Sequence, residues 1–71
     1  MDEKTVTAFR RLWMIWTEHQ EIGSDAREWQ SLLEKTKEIC EESQGAIDPE
    51  FIRKFACDVL ESLDRINSSG R

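Results

Sequence analysis

Two breaks divide the chain into three segments, and they constrain the fold more than any other feature of the sequence. The first break is Gly-Ser-Asp at residues 23–25, and the second is Gly-Ala-Ile-Asp-Pro at residues 45–49. Each break pairs a glycine that can end a helix with residues that can begin the next one. Because connections this short join antiparallel neighbours, the sequence predicts an all-α protein, an antiparallel up-down-up three-helix bundle.

The predicted helices span about residues 3–22, 25–44 and 49–66, and they form a single domain at residues 1–66. Residues 67–71 are polar and are predicted to form a flexible tail. A chain of 71 residues buries a small core, so its stability is commonly only ~3–5 kcal/mol.

The third helix has the best-defined start. Asp48 is predicted to be its N-cap, Pro49 suits the first helical position, and Glu50 favours the positive end of the helix dipole. Ile47 and Ile52 have the spacing of a hydrophobic staple.

The other helix ends are less sharply specified. Asp2 or Thr5 is expected to cap the first helix, and Ser24 or Asp25 the second. Gly23 is expected to take the left-handed conformation after the first helix, and the glycine of the second break is expected to end the second helix.

Apolar residues occupy arcs of different width on the three helices. At ~100° per residue, the arc is ~140° on the second helix, ~180° on the third and ~200° on the first. Two neighbours are not expected to cover an arc as wide as that of the first helix, so its margins are predicted to form a partner-binding apolar edge. This edge comprises Val6, Trp13, Met14, Ile15 and Ile22. The alternative is that the aromatic residues simply fill the core.

The excess of Asp and Glu over Lys and Arg is the second feature with a functional interpretation. The net charge is −5, which disfavours direct binding to nucleic acid or to anionic lipid. Carboxylates cluster on the second helix and at the start of the third. The acidic face comprises Glu34, Glu38, Glu41, Glu42, Asp48 and Glu50. Such a face either only keeps the helix solvated or meets a basic protein surface.

The sequence contains no pattern that indicates catalysis, a cofactor or a metal. His19 is the single histidine, and no nucleophile is placed beside it, so a half-buried structural histidine is expected. Cys40 and Cys57 lack zinc-site spacing and should point apart, Cys40 into the core and Cys57 to solvent, so no disulfide is predicted. The polar N-terminal residues do not resemble a secretory signal, and a cytoplasmic location is expected.

Two functional hypotheses follow. In the first, the chain is a non-enzymatic protein–protein interaction module whose first helix binds another protein or a second copy of itself. In the second, it is a small acidic inhibitor, of the kind that phages and mobile elements encode, which blocks a nucleic-acid-binding enzyme through the acidic face. Neither hypothesis involves direct contact with nucleic acid, a membrane or a metal.

Overall fold

The computed structural model describes residues 2–68, which form three α-helices: α1 (Glu3–Glu18), α2 (Ala26–Glu42) and α3 (Pro49–Ser68). Each helix packs against both of the others, which confirms the predicted all-α three-helix bundle. Later residues of α1 contact later residues of α3: Phe9 contacts Phe55, and Trp16 contacts Ser62. Helices α1 and α3 therefore run parallel to each other. Helix α2, which connects them in the sequence, runs in the opposite direction.

The core draws on all three helices. Its largest fully buried side chains are Leu12 from α1, Leu32 and Ile39 from α2, and Ile52 and Leu63 from α3. Burying a side chain of this size contributes about 1.5–3 kcal/mol.

Two predicted N-caps are confirmed. A carboxylate oxygen of Asp25 accepts hydrogen bonds from the backbone N–H groups of Arg27 (2.9 Å) and Glu28 (3.3 Å). The Asp48 carboxylate accepts one from the N–H of Phe51 at 3.2 Å. These bonds satisfy N–H groups that have no partner within the first turn of a helix.

The predicted staple and the predicted cap of α1 differ from the structure. Ile52 is buried, but Ile47 is 82% exposed, so the two side chains do not form the predicted hydrophobic staple. Asp2 does occupy the N-cap position of α1, yet its side chain accepts a hydrogen bond from the Thr5 hydroxyl instead of from a backbone N–H. That hydrogen bond from Thr5 lowers the pKa of Asp2.

Helix α1 ends at Glu18, four residues before the predicted end at residue 22, and a side chain from α3 holds the segment that follows it. In a continuing helix, the N–H of Gly23 would bond the carbonyl of His19. The Asn67 carboxamide instead accepts from Gly23 N at 2.8 Å and donates to His19 O at 3.0 Å. Gly23 takes the expected left-handed conformation, with φ of 60°, but inside the loop and not directly after the helix.

The prediction of a flexible tail from residue 67 is wrong for its first two residues. Helix α3 continues to Ser68, and Asn67 is held by the two loop contacts and by a third hydrogen bond from its amide to Leu63 O at 2.8 Å. The rest of the predicted tail, residues 69–71, lies outside the described residues.

Helix α2 ends at Glu42, two residues before the predicted end. The hydroxyl and the N–H of Ser43 both bond the Ile39 carbonyl, at 2.6 Å and 3.1 Å, and this closes the last turn. Gly45 follows in the connecting turn without a left-handed φ, so it does not act as the predicted helix stop.

Candidate protein-interaction surface

Within residues 2–68, five of the six aromatic side chains lie where α1 meets α3. Together with one methionine they line three adjoining hollows on the side of the bundle that faces away from α2. Phe55 lines all three hollows and so lies at the centre. We name this surface the aromatic face; it comprises Phe9, Trp13, Met14, Trp16, Phe51 and Phe55.

Ring contacts hold the inner part of the aromatic face in place. Phe9 meets Phe51 and Phe55 edge to face, with ring centroids 5.4 Å and 4.9 Å apart. Aromatic pairs favour this geometry, and each is worth about 0.5–1.5 kcal/mol beyond its buried area. The indole N–H of Trp16 donates to the Ser62 hydroxyl at 3.0 Å, which fixes that ring against α3.

The outer part of the aromatic face is open to solvent. Trp13 is 58% exposed, Met14 55% and Phe51 54%. Trp13 leans against Trp16, with ring centroids 5.3 Å apart, but within residues 2–68 its indole N–H has no acceptor. An aromatic ring with an apolar body and an unused polar group is typical of residues that become buried at an interface.

The edge predicted from the sequence is only partly at the surface. Trp13 and Met14 are exposed, whereas Val6 and Ile22 are half-buried. The expectation that Ile15 lies on an exposed margin is wrong, because its side chain is 6% exposed and belongs to the core.

Helix α2 covers the margin on which Ile15 lies. Arg11 is on the same side of α1 and forms an ion pair with Glu42 at the end of α2. The wide apolar arc of α1 is therefore buried by α2 at one margin and left open only at the other, next to α3.

The contribution of α3 was missing from the sequence prediction. The predicted edge was confined to the first helix, because the arc on α3, at ~180°, is narrower than that on α1. Phe51 lies at the margin of the apolar arc on α3, close to the N-cap. This marginal position is the sequence feature that could have indicated its exposure. Two further exposed apolar side chains lie elsewhere: Ile47 before α3, and Leu33 beside Trp29 on α2.

Three charged side chains border the aromatic face. Arg10 lines the hollow next to Met14, and Lys54 and Asp58 line the hollow next to Phe51. None of the three charged groups forms an ion pair with another part of residues 2–68. They are therefore available to charges on whatever covers the aromatic face.

The six carboxylates of the predicted acidic face do not act as one surface. All are exposed, but Glu42 pairs with Arg11, and Glu41 lies 4.0 Å from the Lys37 ammonium. Asp48 caps α3. The remaining three, Glu34, Glu38 and Glu50, are divided between the outer side of α2 and the first turn of α3.

His19 and the two cysteines have simple surroundings. The His19 ring is buried, and its Nδ1 lies 2.7 Å from the Ile15 carbonyl, so that nitrogen carries hydrogen and donates. Cys57 is exposed and Cys40 half-buried, and both are free thiols, as predicted. Burial raises the pKa of the Cys40 thiol, and nearby Arg53 opposes part of that increase.

The described part of the chain has neither a metal-binding cluster nor a membrane-spanning helix. Among residues 2–68, no group of three or more His, Cys, Asp and Glu side chains is placed to hold a metal ion. In the same range, no helix combines the length and the apolar character that crossing a bilayer requires.

No family model matches the sequence, and no curated protein or solved structure matches it significantly.

Proposed function

We propose that this chain is a small non-enzymatic protein–protein interaction module that binds its partner through the aromatic face. The observation that carries the proposal is the exposure of Trp13, Met14 and Phe51, each more than half open to solvent and all adjoining one hollow surface. Aromatic residues and methionine are enriched at the buried centres of interfaces, and clusters of them dominate binding energy.

The exposed area is large enough to support binding of moderate strength. Side chains of this size present about 150–250 Å² each, so the exposed fractions of the three residues amount to about 350 Å². At about 25 cal/mol per Å², their burial gives roughly 9 kcal/mol before the cost of association, which is about 4–15 kcal/mol. This gain is similar to the cost, so contacts at the rim must supply much of the net affinity.

The acidic-inhibitor hypothesis has less support from the structure. A carboxylate contact surface gains most when its charges are unpaired and act together. Here Glu42 and Glu41 have cationic neighbours within the bundle, and Asp48 is engaged as a cap. Binding through the acidic face would weaken steeply as salt is added, whereas binding through the aromatic face would change little.

Site-specific photo-crosslinking in the source cells tests the proposal. A photoreactive phenylalanine analogue is placed at Trp13, at Phe51 or at Leu33. Leu33 is the matched control, because it is apolar and 53% exposed but lies on α2, away from the aromatic face. We expect covalent adducts of the same mass from positions 13 and 51, and none from position 33.

The adduct pattern also distinguishes the two hypotheses. Adducts from a fourth position, Glu38 on the outer side of α2, together with none from positions 13 and 51, would transfer the binding site to the acidic face. Equal labelling at Leu33 and Trp13 would show that any exposed apolar residue reacts, and the proposal would then be lost.

A further inference from the structure

We infer that the aromatic face binds a second copy of this chain, in a two-fold symmetric dimer in which the two α3 helices cross antiparallel at Phe55. This inference rests on the proposed function, since it names the occupant of the same surface. Four observations carry it: the central position of Phe55, the charges on either side of it, the location of the remaining acidic charge, and the size of the aromatic face.

The position of Phe55 fixes where a symmetry axis would pass. In a two-fold interface the same surface is used by both subunits, and the residue at its centre meets its own copy. Phe55 is that residue, because it lines each of the three hollows of the aromatic face. Two half-buried Phe55 rings meeting at the axis would stack in the offset or edge-to-face arrangement that aromatic pairs favour.

The charges beside Phe55 are self-complementary. Lys54 and Asp58 carry opposite charges, lie one helical turn apart on α3, and border the same hollow. An antiparallel crossing midway between them, one residue from Phe55, places Lys54 of each subunit opposite Asp58 of its partner, so that two equivalent ion pairs form. Within one subunit neither group has an ion-pair partner among residues 2–68.

The distribution of the remaining charge favours the same occupant. The chain carries a net charge of −5, so two copies repel each other unless their acidic surfaces are kept apart. Glu34 and Glu38 lie on the outer side of α2, and the aromatic face is on the opposite side of the bundle. A dimer formed through α1 and α3 therefore places Glu34 and Glu38 of both copies at its far ends.

The aromatic face is also of the size that a dimer requires. Its three exposed apolar residues, its three half-buried rings and the bordering Arg10, Lys54 and Asp58 together present about 700 Å². Specific interfaces bury about 600–1,000 Å² on each partner, so the expected dimer belongs to the weaker half of that range.

Sedimentation equilibrium of the full chain, with charge reversals at the proposed ion pair, tests this inference. Wild type is expected to dimerise in the micromolar range. K54D and D58K are each expected to weaken dimerisation by about tenfold or more, because each reversal places like charges together at two symmetric positions. The D58K variant has a less negative net charge than wild type, so weaker dimerisation of D58K cannot result from overall repulsion.

Mixing the two single variants gives the decisive result. K54D has two acidic groups beside Phe55 and D58K has two basic ones, so an equimolar mixture is expected to form a heterodimer as tightly as wild type pairs with itself. The double variant K54D/D58K is expected to recover self-association. Because Lys54 and Asp58 are exposed and unpaired within one subunit, helical content and thermal unfolding should stay at wild-type values.

The outcomes separate this inference from the proposed function. A chain that sediments as a monomer at millimolar concentration, while position 13 crosslinks to a different protein, overturns the dimer and leaves the interaction module standing. A wild-type dimer that neither reversal weakens, or a mixture that does not pair, overturns the antiparallel crossing at Phe55. If positions 13 and 51 give no adduct of any mass, both proposals fail.

Discussion

Replacing Asn67 with alanine is expected to destabilise the bundle by about 2.5 kcal/mol. The side chain makes three hydrogen bonds, to Gly23 N at 2.8 Å, to His19 O at 3.0 Å and to Leu63 O at 2.8 Å. At about 1 kcal/mol each their loss costs about 3 kcal/mol, and the better helix propensity of alanine returns about 0.5 kcal/mol. The loss is large relative to the ~3–5 kcal/mol typical of a domain this small.

Urea unfolding followed by circular dichroism gives the free energy of unfolding. The expected drop in melting temperature is about 10–20 °C, at about 4–8 °C per kcal/mol for a chain of this length. The matched control is Asp64→Ala, at an exposed position of the same helix, which should change stability by less than ~0.5 kcal/mol.

If residue 67 belonged to a flexible tail, as the sequence predicted, Asn67→Ala would leave the free energy of unfolding unchanged. If Asn67→Ala unfolds at the same urea concentration as wild type, the carboxamide does not hold the segment after α1 against the end of α3.

Three further predictions test other parts of the fold. Leu12→Ala should cost about 3 kcal/mol in urea unfolding because it leaves a cavity in the core, whereas Leu33→Ala on the exposed side of α2 should cost less than ~0.5 kcal/mol; equal costs would contradict the assigned core. Gly23→Ala should cost about 1 kcal/mol, since its φ of 60° strains a side chain, and an unchanged midpoint would contradict that conformation. A colorimetric thiol reagent at neutral pH should modify exposed Cys57 well before half-buried Cys40, whose pKa burial raises; equal rates would contradict this placement.

Most of the fold was predictable from the sequence because its signals are local. The two breaks, the caps at Asp25 and Asp48, and the left-handed glycine at residue 23 all depend on residues a few positions apart. The apolar arc of each helix then requires the three to pack together.

The order of the segment after α1 and of the end of α3 was not predictable because it depends on a contact between distant residues. Asn67 and His19 are separated by 48 positions, and nothing near either residue indicates that a carboxamide from α3 binds the backbone that follows α1. For the same reason, a polar sequence that resembles a tail forms the ordered last turn of α3.

The candidate site was half predicted. An apolar arc shows that some residues lie at its margins, but not which margin a neighbouring helix will cover. Trp13 and Met14 were identified as exposed, whereas Ile15 is enclosed by the packing of α2, and Phe51 was missed because it contributes from another helix. Which of these side chains are exposed depends on how α2 and α3 pack around α1. The apolar pattern of α1 alone does not specify that packing.

Hydroxyl-radical footprinting of the dilute chain tests most directly whether α1 and α3 leave the aromatic face open. At a concentration too low for self-association, we expect Trp13, Met14 and Phe51 to be oxidised at rates close to those of the free amino acids, while Leu12 and Ile15 stay protected. Protection of Trp13, Met14 and Phe51 to the level of those two core residues would contradict the account, because a single subunit would then have no aromatic surface to offer a partner.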